Sequence, residues 1–329
     1  MGDVHECQSG GQGVPHVESK GRRGPIMSGS TAITIVIPAY NYAKTLGRTV
    51  RSVVPQLSND DELLIIDDGS RDHTPQVIEA LKAEFPARFI ALRKDNGGLA
   101  SVRNLGIERA RHDWLIFLDA DDEMAPDSLA LIRAHLASNG QTRMVIGGHW
   151  SVDQSGRRRQ HSPEKLPQTP IQRVKSYLLD KTLSISNGAC VMHRSIFRAG
   201  NYPERFRNAE DIPVFAQTLA AFPVTLLPEP LALIHKHSDS LRHDFSSSLA
   251  GGVELVDEVF RRLPEELQPL RAAFYQQRCL SLFRSACLAG DPVAAKRFYR
   301  QAVASDWRVL LKLSYLRKAI RLWMGRLDG

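Results

Sequence analysis

Three carboxylates, Asp119, Asp121 and Asp122, fall within four positions directly behind the apolar run Trp114-Leu115-Ile116-Phe117-Leu118. Five apolar residues in a row read as a buried strand, so the chain leaves a sheet straight into concentrated negative charge. Like charges this close raise one another's pKa unless something positive sits among them. A hard divalent cation, Mn²⁺ or Mg²⁺, is the economical partner, because it takes oxygen ligands and shares them with a substrate phosphate. A solvated acidic turn would use the same residues without chemistry. A second pair, Asp67-Asp68, follows the apolar run Glu62 to Ile66. One carboxylate there could accept hydrogen bonds from a nucleobase edge while the other orders the turn, or both could cap the next helix. Arg103 stands in a basic stretch with Arg109 and Arg111 and could reach a phosphate. The last two suit a solvated helix face equally well.

These residues need a frame. Ile33 to Ile37 is a β-branched run suited to the middle of a parallel sheet, and it ends in Pro38-Ala39-Tyr40-Asn41. Leu46, Val50, Val53 and Val54 then mark a helix. After the second strand, Ser70 to Thr74 offers an N-cap, and Val77, Ile78 and Leu81 give the following helix its apolar face. A third strand over Phe89 to Leu92 leads through Asn96-Gly97-Gly98 into a helix reaching about Ala110, and Trp114 to Leu118 is the fourth strand. Strand and helix in this alternation predict an α/β fold with a mainly parallel, doubly wound sheet that binds ligands beyond the carboxyl ends of its strands. The acidic clusters fall at those ends. Further on, the sequence predicts a helix from Pro126 to about Ala137, a strand over Met144 to Gly148, a polar surface loop over 151–170, a strand over Ser186 to Met192 and a short helix from Ser195. Glu210-Asp211 precedes the amphipathic segment Val214 to Ala221, a place where an isolated acidic pair favours a helix dipole. From Val253 the chain reads as wholly helical. The expected division is a Gly- and Ser-rich disordered extension over 1–30, a sheet domain over 31–245 and a helical accessory region over 246–329. Met27 lies just before the first strand, so the natural start is expected there.

No GxGxxG follows the first strand and no GxxxxGK[ST] occurs, which disfavours the usual dinucleotide fold and a P-loop. The segments Ile35 to Asn41, Ile66-Asp67-Asp68-Gly69-Ser70, Asn96-Gly97-Gly98 with Arg103-Asn104, and Leu118-Asp119-Ala120-Asp121-Asp122 resemble, in order and spacing, the successive motifs of family 2 glycosyltransferases. Glu210-Asp211 falls where that family carries its catalytic pair. The resemblance covers roughly residues 33 to 240. It implies a GT-A fold, a nucleotide-sugar donor (UDP-, GDP- or dTDP-linked), Mn²⁺ or Mg²⁺, and inversion at the anomeric carbon. Carried over by position, Pro38, Ala39, Tyr40, Asn41 and Asp68 contact the nucleoside, and Asp67, Gly98, Arg103, Asp119, Ala120 and Asp121 complete the donor site. Asp121 is the leading metal ligand, with Asp119 and Asp122 beside it. Asp211 matches the general base, with Glu210 second. Leu231 to Asp244 resembles the stretch that closes over the diphosphate, where His237 reads as a metal or diphosphate ligand or as a surface histidine. Ile234 and His235 depart from the tyrosine and arginine many members carry there.

The 329 residues carry a formal net charge of +7 and a pI near 9.3. That balance suits anionic partners such as nucleotide phosphates or an acidic membrane face. Nucleic acid is not expected, since no recognition motif accompanies the charge. Cys7, Cys190, Cys279 and Cys287 form no CxxC pair, which points to a reduced cytoplasmic protein. No apolar run reaches the roughly 18 residues of a membrane span, and no signal-peptide pattern is present. Near the end, Val309, Leu313, Leu316, Ile320 and Trp323 form one stripe flanked by Lys312, Arg317, Lys318 and Arg321. Such a helix over 305–329 can lie in an anionic membrane face or pack on the sheet domain. The acceptor is then expected to be a cell-surface glycan or its lipid-linked precursor. Two other readings compete: a sugar nucleotidylyltransferase, which would carry a Gly-rich basic loop after the first strand, and a non-catalytic nucleotide- or glycan-binding module.

Overall fold

A computed structural model describes residues 31–236 and 252–324. The expectations attached to residues 1–30, to His237 and to the rest of the segment after it lie outside the described residues. The described residues form one compact unit.

Strand β1, Ile33–Ala39, is buried along its whole length. It lies parallel to β2, Glu62–Asp67, on one side and to β4, Trp114–Phe117, on the other. Strand β3, Ile90–Arg93, adds to β2, so the order is β3-β2-β1-β4. The strand order reverses at β1, which opens the crevice where such sheets bind ligands. Alternation along β1 divides the core in two. Ile33, Ile35 and Ile37 pack with Leu46, Val50 and Val53 of the helix Leu46–Val53 and with Ile78 and Leu81 of Thr74–Glu84. Val36 faces the other way, toward Ala100 and Val102 of Leu99–Arg109. Gly106 lets that helix close on the sheet, since a Cβ there would stand 2.7 Å from Val36 Cγ1.

Beyond β4 the sheet becomes mixed. Strand β8, Cys190–His193, runs antiparallel to both β4 and β6, Met144–Val152. An antiparallel neighbour needs no crossover helix, and β8 is entered from the short 3-10 turn Asn187–Ala189. The doubly wound parallel portion is therefore the first four strands. Strand β9, Val224–His235, lies parallel to β6, and the two-residue β5, Glu123–Met124, closes the edge against it. The register between β6 and β9 slips around Gly148, opposite Pro230. A Cβ on Gly148 would meet Pro228 O at 2.4 Å, so the glycine makes room for the bulge that the prolines require.

The stretch 151–170, expected as a loop, contains strand β7, Arg158–His161, which forms a hairpin with β6. Asp153 Oδ1 accepts from the Ser155 and Arg157 amides, and Gly156 adopts a φ of 81°. The strand residues are polar and basic, so no apolar alternation announces them. In the C-terminal portion, Leu255, Val256, Val259 and Phe260 of the helix Glu254–Arg261 belong to the same core as α-helix Asp211–Ala221. Helices Arg271–Leu288, Pro292–Ser305 and Leu313–Trp323 pack around a cluster of their own. The expected stripe over 305–329 is divided here. Val309 is buried in a separate 3-10 turn, Trp307–Leu311, whereas Ala319 and Leu322 supply the helix's buried contacts and Leu313, Ile320 and Trp323 are exposed. Position 312, with its non-helical backbone, separates the two pieces.

Candidate functional site

The acidic turn begins where β4 ends. The Leu118 amide still donates to Val36 O at 3.0 Å, and the Asp122 amide donates to Asp119 O at 3.0 Å, which folds the three carboxylates into one tight bend. The helix Leu46–Val53 holds this bend from below. Arg48 Nη2 donates to Asp121 O at 2.6 Å, and the Thr49 hydroxyl lies 3.0 Å from Ala120 O and 2.7 Å from Asp122 O. With their carbonyls tied down, the carboxylates keep their direction.

The three acids have different settings. Asp122 is buried and accepts from the His235 amide at 2.8 Å, which fastens the last residue of β9 to the turn. His235 Nε2 also lies 2.7 Å from Glu123 Oε1. Asp119 is 37% exposed and accepts from Arg103 Nη2 at 3.1 Å. Asp121 is half-buried. Burial lifts the Tyr42 hydroxyl far above its ordinary pKa, and the negative charges of Asp121, Asp119 and Asp122 add to that lift. All three carboxylates therefore act on one spot, with Arg103 opposing them, and the surplus of negative charge there suits a cation. Among the described residues no three histidine, cysteine or acidic side chains converge as a ready metal cage. Hard carboxylate oxygens in a negative field still fit a divalent ion that completes its shell with substrate phosphate.

Arg103 is the central residue. It is 1% exposed, and its guanidinium donates to Glu210 Oε1 at 2.6 Å and to Asp119 at 3.1 Å. Its position in the Leu99–Arg109 helix points it across the sheet end rather than outward, so both terminal nitrogens serve carboxylates. Neighbouring carboxylates hold the guanidinium in its charged form against the desolvation that burial imposes. Burial pushes the Glu210 carboxyl above its ordinary pKa, against the pull of Arg103. Tyr202 lies beneath the guanidinium, 5.3 Å from ring centroid to Cζ. Its hydroxyl lies 3.3 Å from Asn187 Oδ1, and Asn187 Nδ2 donates to Asp211 Oδ2 at 3.5 Å. Asn104 fixes Tyr202 in turn, exchanging two hydrogen bonds with its backbone at 2.9 and 3.0 Å. Glu210 and Asp211 open the helix Asp211–Ala221, directly after Ala209 with a left-handed φ of 63°. The pair thus serves the helix dipole and also faces the Arg103 network. A non-glycine residue in that conformation is strained, and it turns the pair toward Arg103 rather than along the incoming chain.

The other expected donor residues gather at the ends of β1 and β2. Pro38 and Ala39 finish β1, and the exposed Tyr40 follows. Asn41 has a φ of 60°, which asparagine tolerates, and its amide donates to Ser70 Oγ at 2.9 Å. Asp67 orders the turn: its oxygens accept from the Ser70 amide and from Arg93, each at 2.8 Å. Asp68 is fully engaged by the next loop. One oxygen accepts from Lys94 Nζ and the Gly97 amide, and the other from the Gly98 amide and Asn96 Nδ2. The Asn-Gly-Gly turn is therefore strapped to Asp68, with Gly98 at a φ of 87° where the helix begins. Sequence reasoning did not single out Arg48, Thr49, Arg93, Lys94, Asn187 or Tyr202. Each is far in sequence from the site group it contacts, and only the Arg103-Asn104 pair offered a signal leading toward Tyr202.

Comparisons with known proteins agree with this construction. The chain is 28% identical over 224 residues to the uncharacterized glycosyltransferase EpsJ of Bacillus subtilis, covering 64% of this chain and 62% of that protein. It is 29% identical over 196 residues to the succinoglycan biosynthesis protein ExoO of Rhizobium meliloti, covering 57% and 56%. The chain thus spans less than two thirds of either relative. The fold is shared with residues 1–349 of TarS from S. aureus in complex with UDP-GlcNAc, at a TM-score of 0.56 and 15% identity, covering 90% of this chain and 93% of that one. It is also shared with the mannosyltransferase PcManGT from Pyrobaculum calidifontis in complex with GDP-Man and Mn²⁺, at a TM-score of 0.52 and 17% identity, covering 90% and 83%. These neighbours bear out the GT-A type expected from the motifs. The profile of Glycosyl transferase family 2 matches residues 34–200, a span that holds every motif from β1 to the acidic turn, and the chain belongs to that family.

Proposed function

We propose that the chain is a glycosyltransferase that moves a sugar from a nucleoside-diphosphate donor to a hydroxyl of a glycan or lipid-linked acceptor, with inversion at the anomeric carbon. One observation carries this reading: a single buried guanidinium, Arg103, joins Asp119 on the acidic turn to Glu210 beside Asp211. The carboxylates suited to a metal and those suited to a proton are thereby held in one array. Asp121 and Asp119 would hold Mn²⁺ or Mg²⁺, which when bound offsets the charge that develops on a diphosphate leaving group.

On the acceptor side Asp211 takes the proton of the attacking hydroxyl. The oxygen's electron pair forms the new bond to the anomeric carbon as the bond from that carbon to the diphosphate oxygen breaks. The electrons of the broken bond leave with the nucleoside diphosphate. Attack opposite the leaving group inverts the centre. Glu210 is engaged by Arg103, which favours Asp211 for the proton, and a positioned base of this kind contributes about 10²- to 10⁴-fold. A donor of the UDP, GDP or dTDP type is supported by the nucleotide sugars bound to TarS and PcManGT. A polysaccharide acceptor is supported by the name of ExoO. The reading includes a cytoplasmic location.

The test is a donor screen with Mn²⁺ or Mg²⁺, reading binding by calorimetry and turnover by nucleotide release. Asp121→Ala should lose metal-dependent donor binding. Asp211→Asn should keep it and lose turnover by about 10²-fold or more. A chain that binds no nucleotide sugar with either metal would not be a transferase of this kind.

A further inference from the structure

The end of the described chain presents a surface that the proposed chemistry does not use. Trp307, Leu311 and Leu313 are 62%, 66% and 63% exposed, and Leu310, Ile320 and Trp323 are exposed beside them. Scattered apolar residues need no explanation, but a contiguous group of large ones marks an interaction site. At 100° per residue, Leu313, Arg317 and Ile320 share one side of the helix Leu313–Trp323. Ala319 and Leu322, both buried, lie on the opposite side, so the helix is already seated on the protein by one face and offers the other. The preceding turn Trp307–Leu311 repeats the arrangement: Val309 points in, and Trp307, Leu310 and Leu311 point out.

Charge identifies the occupant. Between positions 307 and 324 the chain carries Arg308, Lys312, Arg317, Lys318 and Arg321 and no aspartate or glutamate. All five are exposed. The nearest acid in sequence, Asp306, is half-buried and accepts from the Arg308 amide at 2.9 Å. Lys296 of the neighbouring helix adds a further cation, 5.8 Å from the Trp323 ring centroid. Tryptophans and leucines interleaved with arginine and lysine match the boundary between lipid headgroups and acyl chains, where the rings sit at headgroup depth and the long basic side chains reach phosphate. Among the described residues no helix is long and apolar enough to cross a membrane, so the fit is to contact in the plane of the surface.

We propose that Trp307–Leu311 and Leu313–Trp323 dock the protein on an anionic lipid surface, with Trp307, the outer leucines and Ile320 entering the interface, Trp323 bordering it from its place against Tyr299, and the five basic residues contacting phosphate headgroups. This surface is separate from the Arg103 network, so its test stands apart from the transferase assay. The full chain would be sedimented with vesicles of neutral phosphatidylcholine and with mixed vesicles that also carry anionic phosphatidylglycerol, at low and high salt. Binding to the mixed vesicles alone, weakened by salt, is expected. Leu311→Ser with Leu313→Ser should lower partitioning by about tenfold or more. Arg317→Gln with Arg321→Gln should lower it by about fivefold per side chain. Each of these residues is exposed, and an unchanged unfolding midpoint would confirm that the variants fold. Failure to sediment with either vesicle, equal binding to neutral vesicles, or binding indifferent to both double variants would overturn the proposal. So would a dimer, seen by sedimentation velocity and abolished by the leucine replacements, because it would assign the face to a second copy of the chain.

Discussion

Replacing Arg103 by methionine keeps most of the side-chain volume and removes the guanidinium that joins the two acidic elements. The cost can be worked from its two contacts. Glu210 is buried and lies 2.6 Å from Arg103, and taking away one partner of such a pair leaves an uncompensated buried charge, at about 3–5 kcal/mol. Asp119 is 37% exposed and rehydrates, so its share falls in the range of surface pairs, about 0–1 kcal/mol. The variant should therefore lose about 3–5 kcal/mol at pH 7, read as a shift in the urea midpoint at constant slope. The loss should also depend on pH. Burial already holds the folded Glu210 pKa above its unfolded value, against the pull of Arg103, so the native state binds more protons between those two values and stability falls as pH rises through that window. Without Arg103 the folded pKa climbs further and the window widens upward, so the variant should lose more at pH 8 than at pH 5. Adding Glu210→Gln removes the buried charge and should restore about 2 kcal/mol, a non-additivity expected of residues in direct contact. A loss below about 1 kcal/mol, a loss equal at both pH values, or an additive double variant would refute the reasoning.

Further outcomes follow from other contacts. Thr49→Val removes the hydroxyl that bridges Ala120 O and Asp122 O, and should cost about 1–3 kcal/mol by chemical denaturation while weakening metal-dependent donor binding. Gly69→Ala forces a φ of 73° on an L-residue and brings a Cβ within 3.2 Å of two backbone atoms of the 94–96 loop. It should cost about 1–3 kcal/mol, and a stability change under half of that would show the turn to be adaptable. Gly106→Ala would overpack the contact with Val36, at about 1–3 kcal/mol on the same assay. Glu258→Gln should destabilise by about 1.5–3 kcal/mol near neutrality, because Arg205, Arg261 and Arg262 all converge on that buried carboxylate. Burial opposes its ionisation, but hydrogen bonds from Arg261 and Arg262 hold its folded pKa below the ordinary value near 4.5. Its contribution is thus present above that value and lost as pH falls through the folded pKa, so wild type and variant should converge in acid unfolding scans.

Much of this protein is local, and that part is legible in one dimension. Strands β1, β2 and β4 are runs of apolar residues long enough to be recognised alone, and acids mark the carboxyl ends of β2 and β4. The order of strand and helix, the placement of Asp67, Asp68 and Asp119 to Asp122, and the helix behind Glu210-Asp211 all follow from composition and period within a few residues. Strand β7 escaped because its residues are polar, and β9 because Pro228 and Pro230 argue against a strand unless a glycine opposite makes room. The C-terminal stripe was visible as a pattern, but which of its residues turn inward depended on a break at position 312. The roles within the site belong to tertiary structure entirely. Arg103 lies 107 residues from Glu210, Thr49 lies 73 from Asp122, and Asp122 lies 113 from His235. Pattern reports what each residue is and which face it occupies, whereas a charge acquires its partner only when the sheet brings distant strand ends together and excludes the water that would otherwise screen them.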